Sequence, residues 1–451
     1  MYDIELKGVD NIYEYEELVK VFLKPSEYRL SVSGGAPRDK REVARELYNS
    51  LSSRTGKRQD WGTLTGVRPV KLAGELCERV KNREKAVGIL TGEYLLSREK
   101  AELIVSIYEY QREKLKRAPD DTTAVYIGIP FCPTRCLYCS FASNSASGSD
   151  ITAYLDALFK EIDIVSGEMK RLKMKAETLY IGGGTPTCLS PAELEKLLLR
   201  VCDSFDIPAV REFTVEAGRP DTITEEKARL IKAAGAHRIC VNPQSMNAKT
   251  LGLIGRSHTE EDVISAFEMA RREGISTINM DIIAGLPEES ADDFADTLKR
   301  CMDLEPENIT VHSLAVKRAS RLIDADSEYH YEHGGAVGEM LSGAKYALTA
   351  GGYTPYYLYR LKHTAGGSEN TGWCKPGTEC VYNIRVMEEK QTVIALGAGG
   401  ITKVFYPAEN RLERAPNVTN YEVYISRIDE MLERKREKLF NRRENDVDKR
   451  A

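Results

Sequence analysis

The 451-residue sequence contains no apolar run of membrane-spanning length and no charged-then-apolar leader pattern. Membrane insertion and secretion are not expected, and the chain is expected in the cytoplasm. There is no basic excess either: 64 Lys and Arg stand against 69 Asp and Glu, a formal net charge of −5. Non-specific nucleic-acid binding is therefore not expected, and no RNA-binding motif is recognisable. Ten cysteines in so long a chain do not form a disulfide framework. No internal repeat stands out beyond an alternation of strand and helix patterns, and no long low-complexity segment occurs. What remains is an ordinary globular composition, 42% hydrophobic and 29% charged, with a length that suggests two to four domains.

Three regions separate by pattern. Residues 1–120 read as a small N-terminal α+β domain, with a strand at 27–34 and helical runs at 70–80 and 97–117. The turn-type stretch APDD, 118–121, serves as a linker. Residues 121–320 alternate apolar strands with amphipathic helices. The strands are AVYIGIP (124–130), TLYIGG (178–183), EFTVEAG (212–218), RICVNPQ (238–244), TINMDIIAG (277–285) and NITVHSLAV (308–316). Six βα units predict an α/β fold with a parallel sheet, read as an open three-quarter (βα)6 TIM-like barrel, with a doubly wound sheet as the competitor. Residues 321–451 read as an α+β C-terminal domain with a helix, an aromatic strand (353–362), Gly-rich segments around GTECVYNIRV and IALGAGGITKVFY, and a charged terminal helix. That last helix is expected to be a solvated charged face.

One further absence is informative. Cys132, Cys136 and Cys139 lie in GIPFCPTRCLYCSF, spaced C-x3-C-x2-C, and the next cysteine downstream is Cys188. A structural zinc site takes four ligands, so a distant fourth residue would have to complete it. An iron–sulfur cubane held by three thiolates instead keeps one iron open for a small molecule. The loop follows the first predicted strand, at the end of a βα barrel where catalytic groups gather. Groups suited to a ligand recur at later strand ends: Gly182, Gly183, Gly184 and Thr185, then Glu216, Gln244, Arg256 and Asp281. Glycines let backbone approach a ligand, a carboxylate can take a ribose or ammonium group, and an arginine fork suits a carboxylate.

The C-x3-C-x-Y-C-x-F loop after the first strand resembles that of the radical S-adenosylmethionine (SAM) enzymes. The stretches YIGGGTPTCL, TVEAGRPD, VNPQSMNAKTLGLIGRSHT, NMDIIAGLPEES and ALGAGGITKV narrow the resemblance to the coproporphyrinogen dehydrogenase group, the HemN/HemW/HemZ-type proteins. GTLTGVRPVKLAGEL (62–76) and NTGWCKPGTECVYNIRVMEEKQTVIALGAGG (370–400) look like the HemZ-type branch. The resemblance implies a [4Fe-4S] cluster on Cys132, Cys136 and Cys139. It implies contacts to the cluster-bound SAM from Tyr126, Gly183, Glu216 and Ile401. It implies contacts to a second SAM from Tyr138, Gly184, Thr185, Gln244, Arg256, Asp281 and Ala315. The implied reaction is oxygen-independent conversion of two propionates of coproporphyrinogen III to vinyls in haem biosynthesis. A flavodoxin- or ferredoxin-type reductant and a tetrapyrrole substrate accompany it; the sequence leaves the oligomeric state open, with a monomer favoured.

Two departures keep alternatives in view. The dehydrogenases carry a further cysteine two residues after the third ligand, where this chain has Phe141. The haem-chaperone branch carries His-Asn-x-x-Tyr-Trp where this chain has VYNIRVM. A haem-binding or haem-trafficking protein, and another radical SAM activity on a tetrapyrrole, are the other readings. Arg360, Lys362 and Arg385 are weaker candidates for propionate carboxylates. Cys374 and Cys380 read as free thiols rather than part of an auxiliary cluster, and His363 as a loop histidine rather than a haem ligand; His312, at a strand mouth, reads equally as a porphyrin or proton-transfer contact and as a structural histidine.

Overall fold

The computed structural model describes residues 1–141, 143–316, 320–322, 334–362 and 364–441. In chain order the strands are β1 (Tyr2–Lys7), β2 (Tyr28–Ser33), β3 (Thr122–Ile129), β4 (Lys175–Gly183), β5 (Glu212–Glu216), β6 (Arg238–Cys240) and β7 (Thr277–Ala284). They continue with β8 (Asn308–Ser313), β9 (Thr354–Arg360), β10 (Glu369–Cys374), β11 (Val393–Leu396), β12 (Ile401–Tyr406) and β13 (Arg411–Pro416). The chain divides into two compact units. The first comprises Met1–Lys114, Ile283–Ala295 and Val311–Trp373, and the second Leu115–Ile282, Asp296–Thr310 and Cys374–Ala451.

The second unit is built on a sheet of order β8-β7-β6-β5-β4-β3-β11-β12-β13. Strands β3 to β7 pair in parallel, β11 adds in parallel beside β3, and β12 and β13 close the edge antiparallel. The parallel strands are rich in Val, Ile and Leu and are buried along most of their length, as strands covered on both faces must be. The partly exposed positions in their interiors and at their C-terminal ends are Tyr126, Tyr180, Gly183, Glu216 and Asp281. Helices separate the strands and start where the chemistry demands. Asp150 caps Ile151–Arg171, and Ser190 with Glu193 and Thr259 with Asp262 form capping boxes on Pro191–Ser204 and Glu260–Arg272. RICVNPQ is a shorter strand than its apolar run suggests. Only Arg238–Cys240 pairs regularly, because Pro243 has no N–H and Gln244 adopts a left-handed φ of 67°.

Two expectations about the C-terminal region are corrected. VYNIRV is helical, over Val381–Glu388, rather than part of a Gly-rich segment. The terminal charged stretch is not a purely solvated face. It breaks into helices Tyr421–Ser426 and Ile428–Lys435 and a π-turn Arg436–Phe440, and Lys435 is 1% exposed. The reason is Glu161, 0% exposed, whose carboxylate accepts from Lys435 Nζ (2.7 Å), Gly397 N (2.7 Å), Asn417 Nδ2 (2.9 Å) and Tyr424 Oη (2.7 Å). A buried charge persists only when it is paired and hydrogen-bonded in this way.

In the first unit β1 and β2 pair in parallel over a core of Ile4, Leu6, Leu18, Val19, Phe22, Val43, Leu47 and Leu51. A second core gathers Trp61, Val70, Ala73, Leu76, Leu90, Ile104 and Leu358. Trp61 Nε1 donates to Glu369 Oε2 at 2.9 Å, so its one polar atom is satisfied.

Candidate active site

The three cysteines sit in a loop that the sheet holds open. β3 ends at Ile129, and Pro130 removes a ladder donor. Residues 131–132 then pair briefly with 144–145, with Asn144 N on Pro130 O at 2.8 Å and Ala146 N on Cys132 O at 2.9 Å. The glycine run after β4 clasps this loop. Gly184 N donates to Ile129 O (2.8 Å) and Thr185 N to Phe131 O (2.7 Å), and Thr185 Oγ1 donates to Cys132 Sγ (3.4 Å). A Cβ on Gly184 would collide with Phe131 O and stand 3.0 Å from Cys132 Sγ, and Gly183 holds φ at 115°. The glycines are therefore required by the close approach of the cysteine loop as well as by any ligand.

Burial pushes the Cys132 and Cys139 thiols up. Hydrogen bonds from Thr185 and Ser143 oppose this at Cys132, and one from Phe141 N opposes it at Cys139. Metal binding would deprotonate them. Among the described residues no three His, Cys, Asp or Glu side chains close on a single ion. A cubane makes no such demand, because each thiolate binds a different iron.

Two guanidinium groups flank Cys136. Arg219 is 2% exposed; its Nη1 donates to Thr134 Oγ1 at 2.9 Å and stands 3.8 Å from Cys136 Sγ, while Nε and Nη2 grip Asp221, each at 3.1 Å. Arg256 donates through Nη1 to Gly218 O (2.9 Å) and Asn242 O (3.0 Å), and through Nη2 to Tyr138 Oη (3.1 Å). It also hydrogen-bonds Cys136. Its Nε–H is buried with no partner among the described residues. Two cations and an unused buried donor beside Cys136 suit an anionic group and a carboxylate-bearing cofactor.

The neighbouring strand ends carry the opposite charge. Tyr126 and Tyr180 face each other in register, and Tyr180 donates to Glu216 Oε1 at 2.6 Å. Tyr382, from helix Val381–Glu388, stacks on Tyr180 with ring centres 4.4 Å apart and on Tyr126 at 6.4 Å. Burial raises Glu216 to about 7; hydrogen bonds from Tyr180 and Gly183 oppose the rise, and the charge of Asp281 adds to it. A carboxylate so poised gains from a cationic or hydroxyl-bearing ligand. Gln244 occupies the left-handed region, held by its N–H on Asp281 O at 2.9 Å. Strain of this kind, about 1–3 kcal/mol, collects at functional sites. Asp281 accepts from Asn279 Nδ2 at 2.8 Å, and its own N–H donates to Asn242 Oδ1 at 3.2 Å.

The second unit thus joins Cys132 to Gly184 and Thr185, Cys136 to Arg256 and Tyr138, Tyr126 and Glu216 to Gly183, and Gln244 to Asp281. Two sequence candidates stand outside these contacts. Ile401 opens β12 and is 46% exposed. Ala315 belongs to the first unit, where it bridges to Thr364. Arg219, Tyr180, Tyr382 and Asn242 were not singled out from the sequence. Tyr180 alone carried a signal, lying two residues before Gly182 on one strand face. Arg385 is not a free carboxylate binder: it is buried against Glu177, with Nε on Oε2 at 3.0 Å and Nη2 on Oε1 at 2.9 Å. Cys374 and Cys380 are buried, and the Cys380 thiol donates to Glu212 Oε1 at 3.2 Å. His312 lies 3.2 Å from Tyr359 Oη, and His363 lies outside the described residues.

Three cysteines in one loop, the first of them clasped by a glycine run at the end of a parallel strand, point to a class, and residues 126–301 match the Radical SAM superfamily. Its members carry a [4Fe-4S] cluster and SAM, and the donor set above fits both. The chain is 38% identical over 404 residues to the oxygen-independent coproporphyrinogen-III oxidase-like protein HemZ of Bacillus subtilis, covering 88% of this chain and 80% of that one. It belongs to that HemZ-type family of radical SAM proteins. The haem chaperone HemW of Lactococcus lactis is 33% identical over 43% of this chain and 49% of its own length. The structure of coproporphyrinogen III oxidase HemN from Escherichia coli aligns with TM-score 0.55 and 22% identity, covering 72% of this chain and 73% of that one. At that identity the likeness is one of fold. No helix among the described residues is long and apolar enough to cross a membrane.

Proposed function

We propose that the chain is an oxygen-independent coproporphyrinogen III dehydrogenase. The observation that carries the reading is the clasp of Gly184 and Thr185 on the Cys132 loop, with Glu216 at the next strand end. Cys132, Cys136 and Cys139 hold the cluster and leave one iron for SAM. When bound, cluster and SAM together supply one-electron cleavage of a sulfonium and hence a carbon-centred hydrogen abstractor. Tyr126, Gly183, Glu216 and Ile401 orient that SAM, with the Glu216 carboxylate accepting from its polar hydrogens. Tyr138, Gly184, Thr185, Gln244, Arg256 and Asp281 serve a second SAM. The strands β3 to β8 form the open (βα)6 barrel whose interior shields the chemistry from water.

Each propionate carboxylate gives one hydrogen atom from its β-carbon to the carbon-centred abstractor, then loses CO2 while the remaining electron passes to an external one-electron acceptor, leaving a vinyl group. The electron that starts each turnover comes from a flavodoxin- or ferredoxin-type donor. Anaerobic incubation of reconstituted protein with coproporphyrinogen III, SAM and a reductant should yield protoporphyrinogen IX by mass spectrometry. SAM cleavage with the propionates intact would rule the substrate out. A second reading, haem trafficking, draws on the HemW relatives and on Phe141, 69% exposed where the dehydrogenases have cysteine. Tight stoichiometric haem binding without turnover would favour it.

A further inference from the structure

The stretch Gly62–Leu76 has no part in the site above. In the first unit its opening turn wraps Arg360. Leu64 O accepts from Arg360 Nη1, and Val67 O accepts from Arg360 N at 2.8 Å. Thr65 and Arg360 then share a cavity of about 140 Å3. The charged lining is Lys20, Lys24, Lys57, Arg360 and Lys362 against Glu17 and Glu27. Five cations and two acids leave an excess of three positive charges, in a chain whose net charge is −5.

Both acids are already engaged, and a third carboxylate just outside the lining shares Lys20. Glu17 lies 3.4 Å from Lys20 Nζ and 3.9 Å from Lys362 Nζ, Glu16 lies 3.3 Å from Lys20 Nζ, and Glu27 accepts from the Lys24 backbone N–H at 2.8 Å. Arg360 is 5% exposed and donates only to neutral carbonyls, to Gly367 O through Nε (3.0 Å) and Nη2 (2.6 Å), and to Leu64 O. No carboxylate stands within ion-pair distance of it among the described residues. Burial draws it down to about 10, with the charge of Glu369 opposing. The Arg360 guanidinium meets only carbonyls and the face of Trp61, 4.7 Å from its ring centre, so a bound anion would supply the counter-charge it lacks. Gly367, at φ 64°, keeps the wall open, since a Cβ there would stand 3.1 Å from Arg360 Nη2. The cavity is well below the roughly 300–1,000 Å3 of sites for drug-sized ligands, so it accepts a small group.

We propose that this cavity binds a phosphoryl or pyrophosphoryl group, free or as the end of a larger metabolite. With Glu16 counted against Lys20 the excess is two, which a doubly charged phosphoryl group matches, whereas a monocarboxylate would leave half of it unmet. The inference does not depend on the reaction assigned to the second unit. Full-length protein is titrated calorimetrically with pyrophosphate, with inorganic phosphate and with acetate. Saturable binding of pyrophosphate is expected, tighter than phosphate and far tighter than acetate. The double variant Lys20→Ala/Lys362→Ala removes side chains outside the core. It should weaken pyrophosphate binding by about tenfold or more, the loss of one charge-assisted contact. Arg360→Lys, which keeps the charge and loses the fork, should weaken it with circular dichroism unchanged. No saturable heat, equal affinity in the double variant, or preference for acetate would each overturn the assignment.

Discussion

Replacing Arg219 by glutamine removes a positive charge 3.8 Å from Cys136 Sγ while leaving a hydrogen-bonding side chain in place. A unit charge at that distance interacts with another by about 4 kcal/mol at an effective dielectric near 20. The electron that separates the two redox states of a cubane is shared over the whole cluster rather than lodged on one sulfur. About a quarter of that figure, near 1 kcal/mol, is therefore the working magnitude, and it corresponds to about 45 mV for a one-electron couple. The sign follows from charge: a neighbouring cation favours the reduced, more negative cluster, so its loss lowers the midpoint potential. Redox titration of reconstituted protein, followed by electron paramagnetic resonance, reads this directly. Iron content is measured on each sample, so that a lost cluster is not mistaken for a shifted one. Arg219→Gln should fall by about 45 mV and Arg219→Lys by less than half of that. A potential unmoved within about 10 mV, at equal iron content, would refute the electrostatic role of Arg219.

Two further outcomes follow from buried charge. Glu216, held at about 7 against an ordinary 4.5, keeps a proton in the folded chain that the unfolded chain has released. Its contribution to stability is present below 4.5 and is lost as pH rises through about 7. Urea unfolding of the metal-free protein across that range should show this slope and Glu216→Gln should flatten it; an identical slope in the variant contradicts the assignment. Lys435→Met strands the Glu161 carboxylate in the interior and should cost about 3–5 kcal/mol in the same assay. Adding Glu161→Gln should recover part of the loss, because glutamine still accepts from Gly397 N; strictly additive losses would show that the pair is not coupled.

Much of the site was legible because its logic is local. Cys132, Cys136 and Cys139 lie within one loop, and the glycine run and Glu216 end successive strands whose apolar runs announce themselves. The cations beside Cys136 were half legible. Arg256 stood at a strand-end position, but Arg219 in AGRPD looks like any loop arginine until the fold turns it against the cysteine loop. Tyr382 was hidden for a similar reason, since the glycine and cysteine before it masked a helix. The terminal helix misled because its charges follow the pattern of a solvated face. The partner that draws Lys435 inward, Glu161, is 274 residues away along the chain.

The residue order alone thus determined which groups can ligate metal, where the parallel strands run, and which ends of those strands carry polar side chains. These depend on spacing over a few residues, where covalent geometry and periodicity rule. The folded chain decided which charges are buried, which carboxylate is lifted toward neutrality, and which arginine meets a thiol rather than water. Those outcomes depend on distances between residues far apart in sequence and on the dielectric that surrounds them, and neither exists until the chain has packed.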